Sequence, residues 1–152
     1  MEFQNDQSQI KLLLSSEDLT KLLAKRLARS KTIGRTFLLY GEIGAGKTFF
    51  SRAFIQEILS DYGLTEDIPS PTYTLIQTYE TPQVDIWHID LYRLVSEQDI
   101  TELGIADALN NNICLIEWPE LLNENIPLNA VHIKLNYHSE FKRECTLACN
   151  NE

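Results

Sequence analysis

The chain has 152 residues, a formal net charge of −9 and a hydrophobic fraction of 43%. These values indicate one globular domain and exclude an intrinsically disordered chain, and the acidic pI of about 4.8 argues against a broad nucleic-acid-binding surface. The apolar runs are too short for a transmembrane helix, and residues Met1–Asp6 lack the basic and apolar stretches of a secretory signal. The three cysteines therefore predict reduced thiols in a cytoplasmic protein.

Two helices and one strand are predicted in the first part of the chain. A helix is expected from Ser16 to about Ser30, because Glu17 and Asp18 suit its positive end and its leucines form one stripe. The apolar run Thr36–Tyr40 predicts a buried strand with a Gly-rich turn after it. A second helix is expected from Lys47 to about Asp61, since its phenylalanines and isoleucine recur every four residues.

The rest of the chain is richer in strand patterns. Residues 64–72 are predicted to be a loop, because they contain two prolines, and strands over Tyr73–Tyr79 and Val84–Leu91 are predicted to form a hairpin. A capping box at Ser96 indicates a short helix. The remaining predicted elements are a helical turn at Ile105–Leu109, a strand at Ile113–Ile116 that ends in Glu117 and is stopped by Pro119, and a terminal hairpin of Ala130–Leu135 with Cys145–Cys149.

Residues 41–48 match the pattern G-x-x-x-x-G-K-[ST] in full. Its glycines let backbone amides surround phosphate oxygens, its lysine can reach the β- and γ-phosphates from a solvent-facing position, and its threonine hydroxyl can bind Mg²⁺. Average residue frequencies give a chance match in about one of 200 chains of this length, and the strand before the motif and the helix after it provide the expected context. The nucleotide-binding residues predicted here are Gly41, Glu42, Ile43, Gly44, Ala45, Gly46, Lys47 and Thr48.

The motif and the element order together predict the fold class. Strand, loop and helix alternate early and antiparallel hairpins come later, which indicates an α/β protein with a mixed parallel and antiparallel sheet flanked by helices. We expect a single P-loop NTPase-like domain over residues 1–152, with the C-terminal hairpin at about 130–149 as part of it.

Two acidic residues at strand ends are candidates for binding the metal. Glu117 follows four apolar residues, as expected of a Walker B strand, and Asp90 ends the other strand on the same face as His88. The alternatives are a solvated acid for Glu117, a cap or turn residue for Asp90 and a structural histidine for His88. Arg93 could stabilise charge on a phosphate, but a surface ion pair is favoured.

The remaining polar patterns narrow the class of protein. Neither N-K-x-D nor D-x-x-G occurs, which excludes a Ras-type GTPase, and six scattered arginines disfavour a nucleotide kinase. A minimal ATPase or an ATP-dependent switch subunit remains. Aromatic residues more consistent with core or rim packing than with base stacking are Tyr73, Tyr79, Trp87, Tyr92 and Trp118.

Four motifs in this order resemble the bacterial TsaE (YjeE) family over about residues 15–120. Besides the P-loop, they are Ser70–Leu75, His88–Leu94 and Glu117–Glu120. The resemblance implies ATP and Mg²⁺ as cofactors, and TsaB and TsaD as partners in making threonylcarbamoyladenosine in tRNA. It also implies that TsaD transfers the carbamoyl group and that tRNA is reached only through the complex.

The resemblance also assigns roles to residues. It implies catalytic roles for Lys47, Asp90 and Glu117, with Thr48 and Glu117 on the metal. Ser70–Leu75 would be a loop that senses the nucleotide. Residues implied to border the adenine or ribose are Glu17, in the region around Ser16, and Lys142 or Arg143. The alternatives are a non-catalytic ATP-responsive binding module and a small P-loop phosphotransferase.

Overall fold

The computed structural model describes residues 9–149, so the prediction made for Met1–Asp6 lies outside the described residues. The strands are β1 (Ile10–Leu14), β2 (Thr36–Tyr40), β3 (Ile76–Glu80), β4 (Asp85–Asp90), β5 (Ile113–Glu117), β6 (Val131–Tyr137) and β7 (Arg143–Cys149). These seven strands form one mixed sheet in the order β1-β7-β6-β2-β5-β4-β3. The helices are α1 (Glu17–Ala28), α2 (Lys47–Asp61), α3 (Glu97–Glu102) and α4 (Ile105–Asn111), with a 3₁₀ helix over Pro119–Asn125.

The centre of the sheet is parallel and its edges are antiparallel. Strands β4, β5, β2 and β6 run in one direction, while β3, β7 and β1 join as antiparallel neighbours. This confirms the predicted α/β class with a mixed sheet. Because the central strands are parallel, the carboxyl ends of β2, β4 and β5 meet at one edge of the sheet, where ligands of such sheets bind.

Alternating side chains give the sheet two buried faces. On the first face, Phe37 and Leu115 pack with Phe50 and Phe54 of α2. On the second face, inward-pointing residues such as Ile116 pack with α3, α4 and the 3₁₀ helix. All five residues of β2 are buried, as expected of a strand covered on both sides. Helix α2 therefore lies on the same face as the odd-numbered residues of β5.

The structure confirms most of the predicted elements, corrects the start of β3 and adds two elements that were not predicted. Strand β2 and helix α2 have the predicted bounds, and the capping box at Ser96 is present. Strand β3 begins at Ile76 rather than Tyr73, because turns occupy the preceding residues and Leu75 has a left-handed φ of +67°. The elements that the sequence analysis missed are β1 and the 3₁₀ helix that follows β5.

Both predicted hairpins are confirmed. Strands β3 and β4 pair antiparallel, and so do β6 and β7, which extend two residues further towards their shared turn than predicted. Within residues 9–149, no helix has the length and apolar character needed to cross a bilayer.

Candidate functional site

The P-loop connects the end of β2 to the start of α2. Gly41 has a φ of +149°, and a Cβ at this position would lie 2.4 Å from the carbonyl oxygen of Leu135 on β6. Gly46 precedes α2 in the left-handed region, with a φ of +103°. The loop is therefore held close to the sheet edge by positions that only glycine suits, and its amides precede a helix of 15 residues, whose N-terminus favours phosphate.

Lys47 is buried, which corrects the predicted solvent-facing position. Its side chain folds back over the loop, and Nζ donates hydrogen bonds to the carbonyl oxygens of Gly41 at 2.5 Å and Glu42 at 2.9 Å. The ring of Trp118 covers the ammonium, with Nζ 4.1 Å from the ring centroid. Burial lowers the pKa of Lys47, and the nearby carboxylates, first that of Glu117, oppose this shift.

Glu117 contacts the P-loop helix directly. The hydroxyl of Thr48 donates to its Oε1 at 2.7 Å, and Nε2 of His88 lies 2.5 Å from its Oε2. Glu117 is only 2% exposed, so the alternative of a solvated acid is wrong. Strands β4 and β5 pair in the register that aligns Asp90 with Glu117, which explains why the two predicted acids lie side by side.

Asp90 connects the end of β4 to the loop over Ser70–Leu75. Its Oδ1 accepts the backbone N–H of Tyr92 at 2.9 Å, and its Oδ2 accepts the hydroxyl of Thr72 at 3.2 Å. Burial raises the pKa of Asp90, while the Tyr92 hydrogen bond acts in the opposite direction. The alternative of a turn residue is therefore correct for one oxygen of Asp90, and the other oxygen is directed to the loop.

These groups surround a cavity of about 350 Å³. Residues from four segments line it, including Lys47, Thr48, Thr72, Asp90, Glu117 and Trp118. Residues 9–149 contain no group of three or more His, Cys, Asp or Glu side chains arranged to hold a metal. The pair of Thr48 and Glu117 nevertheless fits Mg²⁺, which takes one or two protein oxygens together with phosphates and water.

A second cavity, of about 170 Å³, also borders the P-loop. Glu17 of α1 and Arg143 of β7 both line it, together with Ala45 and the rings of Phe49 and Phe141. The Arg143 guanidinium donates to the carbonyl oxygens of Gly44 at 3.1 Å and Ala45 at 3.0 Å. The structure therefore brings Glu17 and Arg143 together beside the loop, while Lys142 is not among the residues that line this cavity.

The arginine considered for charge stabilisation has a local partner. Arg93 donates to the carbonyl oxygen of Tyr73 at 3.0 Å, and its guanidinium lies 5.8 Å from the centroid of the Tyr73 ring. It thus holds the same loop that Thr72 joins to Asp90. The surface ion pair favoured for Arg93 does not form among the described residues.

Two residues at the cavity were not singled out by the sequence analysis. Trp118 was grouped with the core or rim aromatics, yet its ring covers the Lys47 ammonium. Thr72 was included only as part of a motif, although its hydroxyl makes the contact with Asp90. The signal for Trp118 was its place immediately after Glu117, since the residue after a strand-end acid reaches the same edge of the sheet.

Comparisons with known proteins extend over most of the chain. A model of the family described as "Threonylcarbamoyl adenosine biosynthesis protein TsaE" matches residues 14–145. A protein named tRNA threonylcarbamoyladenosine biosynthesis protein TsaE from Rickettsia felis is 43% identical over 140 residues, covering 92% of this chain and 80% of the relative. The protein of the same name from Bacillus subtilis is 31% identical over 139 residues, covering 91% and 84%.

A solved structure has the same fold. The crystal structure of Bacillus subtilis YdiB superposes with a TM-score of 0.70 at 26% sequence identity, covering 94% of this chain and 86% of that chain. The matched residues 14–145 include the P-loop, both strand-end carboxylates and Arg143. The similarity therefore covers both cavities as well as the sheet that carries them.

Proposed function

Because the chain belongs to the TsaE family, we propose that it binds and hydrolyses ATP with Mg²⁺ as a subunit required for threonylcarbamoyladenosine modification of tRNA. In this proposal it acts in the cytoplasm with TsaB and TsaD, and it contacts tRNA only through that complex. The net charge of −9 supports an indirect role, since binding tRNA by itself would require a basic surface.

The observation that carries the proposal is the contact between Thr48 and Glu117 beneath the P-loop. A hydroxyl and a buried carboxylate oxygen lie 2.7 Å apart, next to a loop whose amides and lysine suit phosphate. These are oxygen ligands of the type that Mg²⁺ prefers, and Thr48 and Glu117 would hold the ion beside the phosphate-binding loop. When bound, Mg²⁺ supplies charge neutralisation on the phosphate oxygens.

In this proposal, Lys47 exchanges its present hydrogen-bond partners for phosphate oxygens when ATP binds. Its ammonium bonds to two carbonyl oxygens of the loop, which are weaker partners than the charged oxygens of a phosphate. Trp118 covers it on one side and keeps water away, so the attraction between the ammonium and a phosphate is screened less than in open solvent.

In this proposal Asp90 would orient the attacking water or the water shell of the ion. It lies beside Glu117 in register, and its Oδ2 accepts the hydroxyl of Thr72. The loop over Ser70–Leu75 would report the state of the nucleotide through this bond, because a change at the γ-phosphate alters what Asp90 and Thr72 contact. Glu17 and Arg143 would border the adenine or ribose in the second cavity.

The test is the release of phosphate from ATP, measured for the chain alone and with TsaB and TsaD, with Mg²⁺ and with EDTA. We expect slow, Mg²⁺-dependent release by the chain alone and a higher rate or a higher ATP affinity with the partners. A residue supplied in trans can raise such a rate by roughly 10³–10⁵-fold. No hydrolysis under any of these conditions would contradict the enzymatic part of the proposal.

A second candidate function is an ATP-responsive binding module in which hydrolysis is incidental. The bond between Thr72 and Asp90 favours it, because it ties a partly exposed loop to the cavity. Binding to TsaB–TsaD with an ATP analogue, with ADP and without nucleotide separates the two functions. A nucleotide-dependent affinity without phosphate release supports the module, whereas release that depends on the partners supports the enzyme.

A further inference from the structure

Resting on the proposed function, we propose that His88 is a positioning residue, which fixes the orientation of the Glu117 carboxylate towards the magnesium site. The proposal concerns the second oxygen of Glu117. Thr48 bonds to Oε1, and the ring of His88 contacts Oε2. Helix α2, strand β4 and strand β5 thus meet at one carboxylate.

His88 has no other polar contact among the described residues. Its side chain is 0% exposed, and its Nδ1 is buried without a hydrogen-bond partner. A polar ring in such a place costs free energy of folding unless a bond compensates for it. The contact with Glu117 is the bond that compensates, so the geometry gives the imidazole one role, directed at this carboxylate.

The contact defines where the proton of the ring lies. A carboxylate oxygen accepts hydrogen bonds, so Nε2 must carry the hydrogen that points to Glu117. Nδ1 is buried without a hydrogen-bond partner, so the hydrogen on Nε2 is the one that makes a contact. His88 therefore acts as a directed donor and leaves the negative charge of Glu117 available to a cation.

The orientation of a free carboxylate is poorly defined. The last torsion of a glutamate side chain is broad, so either oxygen of Glu117 could turn towards Thr48. A donor fixed on the neighbouring strand removes this freedom by holding Oε2, which leaves Oε1 directed at the helix. Partners of this kind typically change metal affinity by about 10–100-fold when they are removed.

The experiment compares variants that keep or remove the donor at this position. His88→Gln retains an N–H donor of similar reach, while His88→Leu and His88→Met fill the space without one. Thr36→Val is the matched control, since Thr36 is another fully buried residue on the sheet whose hydroxyl has no partner. Binding of a non-hydrolysable ATP analogue is measured by calorimetry over a series of Mg²⁺ concentrations and in EDTA, together with a thermal melt.

We expect the variants without a donor to need about 10–100-fold more Mg²⁺ for the same analogue affinity. Their affinity in EDTA should stay within about twofold of the wild type, because the P-loop residues are untouched. His88→Gln and Thr36→Val should retain the wild-type Mg²⁺ dependence. Using two variants without a donor keeps the comparison available if one of them fails to fold.

Two results would overturn the inference, and they are distinguishable from a failure of the proposed function. A donor-free variant that folds and keeps the wild-type Mg²⁺ dependence rules out positioning by His88. So does a folded His88→Gln that needs as much additional Mg²⁺ as His88→Leu for the same analogue affinity. If the wild type itself binds the analogue equally with Mg²⁺ and EDTA, the proposed magnesium site is wrong, and the inference is overturned with it.

Discussion

Two carboxylates lie side by side at the ends of β4 and β5, yet the structure holds them differently. Both oxygens of Glu117 contact side chains on regular elements, Thr48 of α2 and His88 of β4. Asp90 instead accepts a backbone N–H at its own turn and the hydroxyl of Thr72 in an irregular loop. One acid is held by side chains of regular elements, and the other is bonded to a loop.

This difference suggests a division of roles within one cavity. A metal ligand benefits from a fixed orientation, since its affinity depends on geometry. A group that communicates nucleotide state benefits from a bond to a loop, because a loop can adopt two arrangements at small cost in free energy. Substitutions at Glu117 should therefore change the binding of magnesium, whereas substitutions at Asp90 or its loop partner should change the binding of partner proteins.

The largest effect is expected from Lys47→Ala, which removes the cation that both carboxylates share. ATP hydrolysis should fall by at least about 100-fold, because losing one charge-stabilising group in such a site typically costs 10²–10³-fold. Phosphate release measures the rate of hydrolysis, and a thermal melt checks that the variant is folded. Lys31→Ala, at an exposed lysine outside the cavities, is the control and should retain the wild-type rate.

Glu117→Gln should affect the binding of the metal while leaving the metal-independent binding of nucleotide intact. The amide is nearly the same size but carries no negative charge, so hydrolysis and Mg²⁺ dependence should fall while affinity for nucleotide in EDTA stays close to the wild type. Calorimetry with Mg²⁺ and with EDTA measures both. If the Mg²⁺ dependence and the rate are unchanged, Asp90 becomes the better candidate for the metal ligand.

Thr72→Val tests the proposed coupling between Asp90 and the loop over Ser70–Leu75. The change removes the hydroxyl that bonds to Asp90 and keeps the shape of the side chain. If the chain binds TsaB–TsaD more tightly with ATP than with ADP, as proposed, this preference should fall by up to about fivefold, because one hydrogen bond contributes about 1 kcal/mol. Sedimentation with an ATP analogue and with ADP measures it.

Thr74→Val is the matched control for this loop. Thr74 is an exposed neighbour whose hydroxyl oxygen accepts a hydrogen bond from Gln77 rather than contacting Asp90. It should therefore leave the preference for ATP unchanged. An equal loss in both variants would mean that the loop as a whole matters, and that the bond to Asp90 does not carry the coupling.

The sequence predicts elements whose ends carry local signals. Strand β2 and helix α2 are bounded by the glycines of the motif, so their bounds follow from residues within the same window. Strand β1 lacks such a signal, because most of its residues are exposed and it exists as a strand only through pairing with β7. Its formation depends on residues at the opposite end of the chain.

The same limit applies to the site. The P-loop residues and the two acids could be predicted, since each follows a strand pattern in its own segment. The contact of His88 with Glu117 could not, because it requires the parallel register of β4 against β5. The proximity of Glu17 and Arg143 followed only from a family resemblance, as no local pattern connects α1 to β7.

The smallest expected effect is the pH dependence of stability in Asp90→Asn. Burial raises the folded-state pKa of Asp90 above its ordinary carboxyl value, so the folded state holds this proton more tightly than the unfolded state. The wild type therefore loses stability relative to the variant as pH rises from the ordinary carboxyl value through the raised one. Below the ordinary value the proton is bound in both states, and the contribution is fully present.

Urea unfolding of both proteins at several pH values between about 4 and 8 measures this difference, since this range brackets a raised carboxyl pKa. An asparagine can still accept the Tyr92 N–H through its oxygen and donate its amide to the Thr72 hydroxyl, so both local hydrogen bonds can survive the change. Asp67→Asn, at an exposed loop position, controls for the loss of one negative charge. A constant difference between wild type and Asp90→Asn across the range would mean that Asp90 binds its proton equally in both states. In that case Asp90 would be as well solvated as an ordinary surface acid, and its coupling to the loop would have to rest on the hydrogen bond of Thr72 alone.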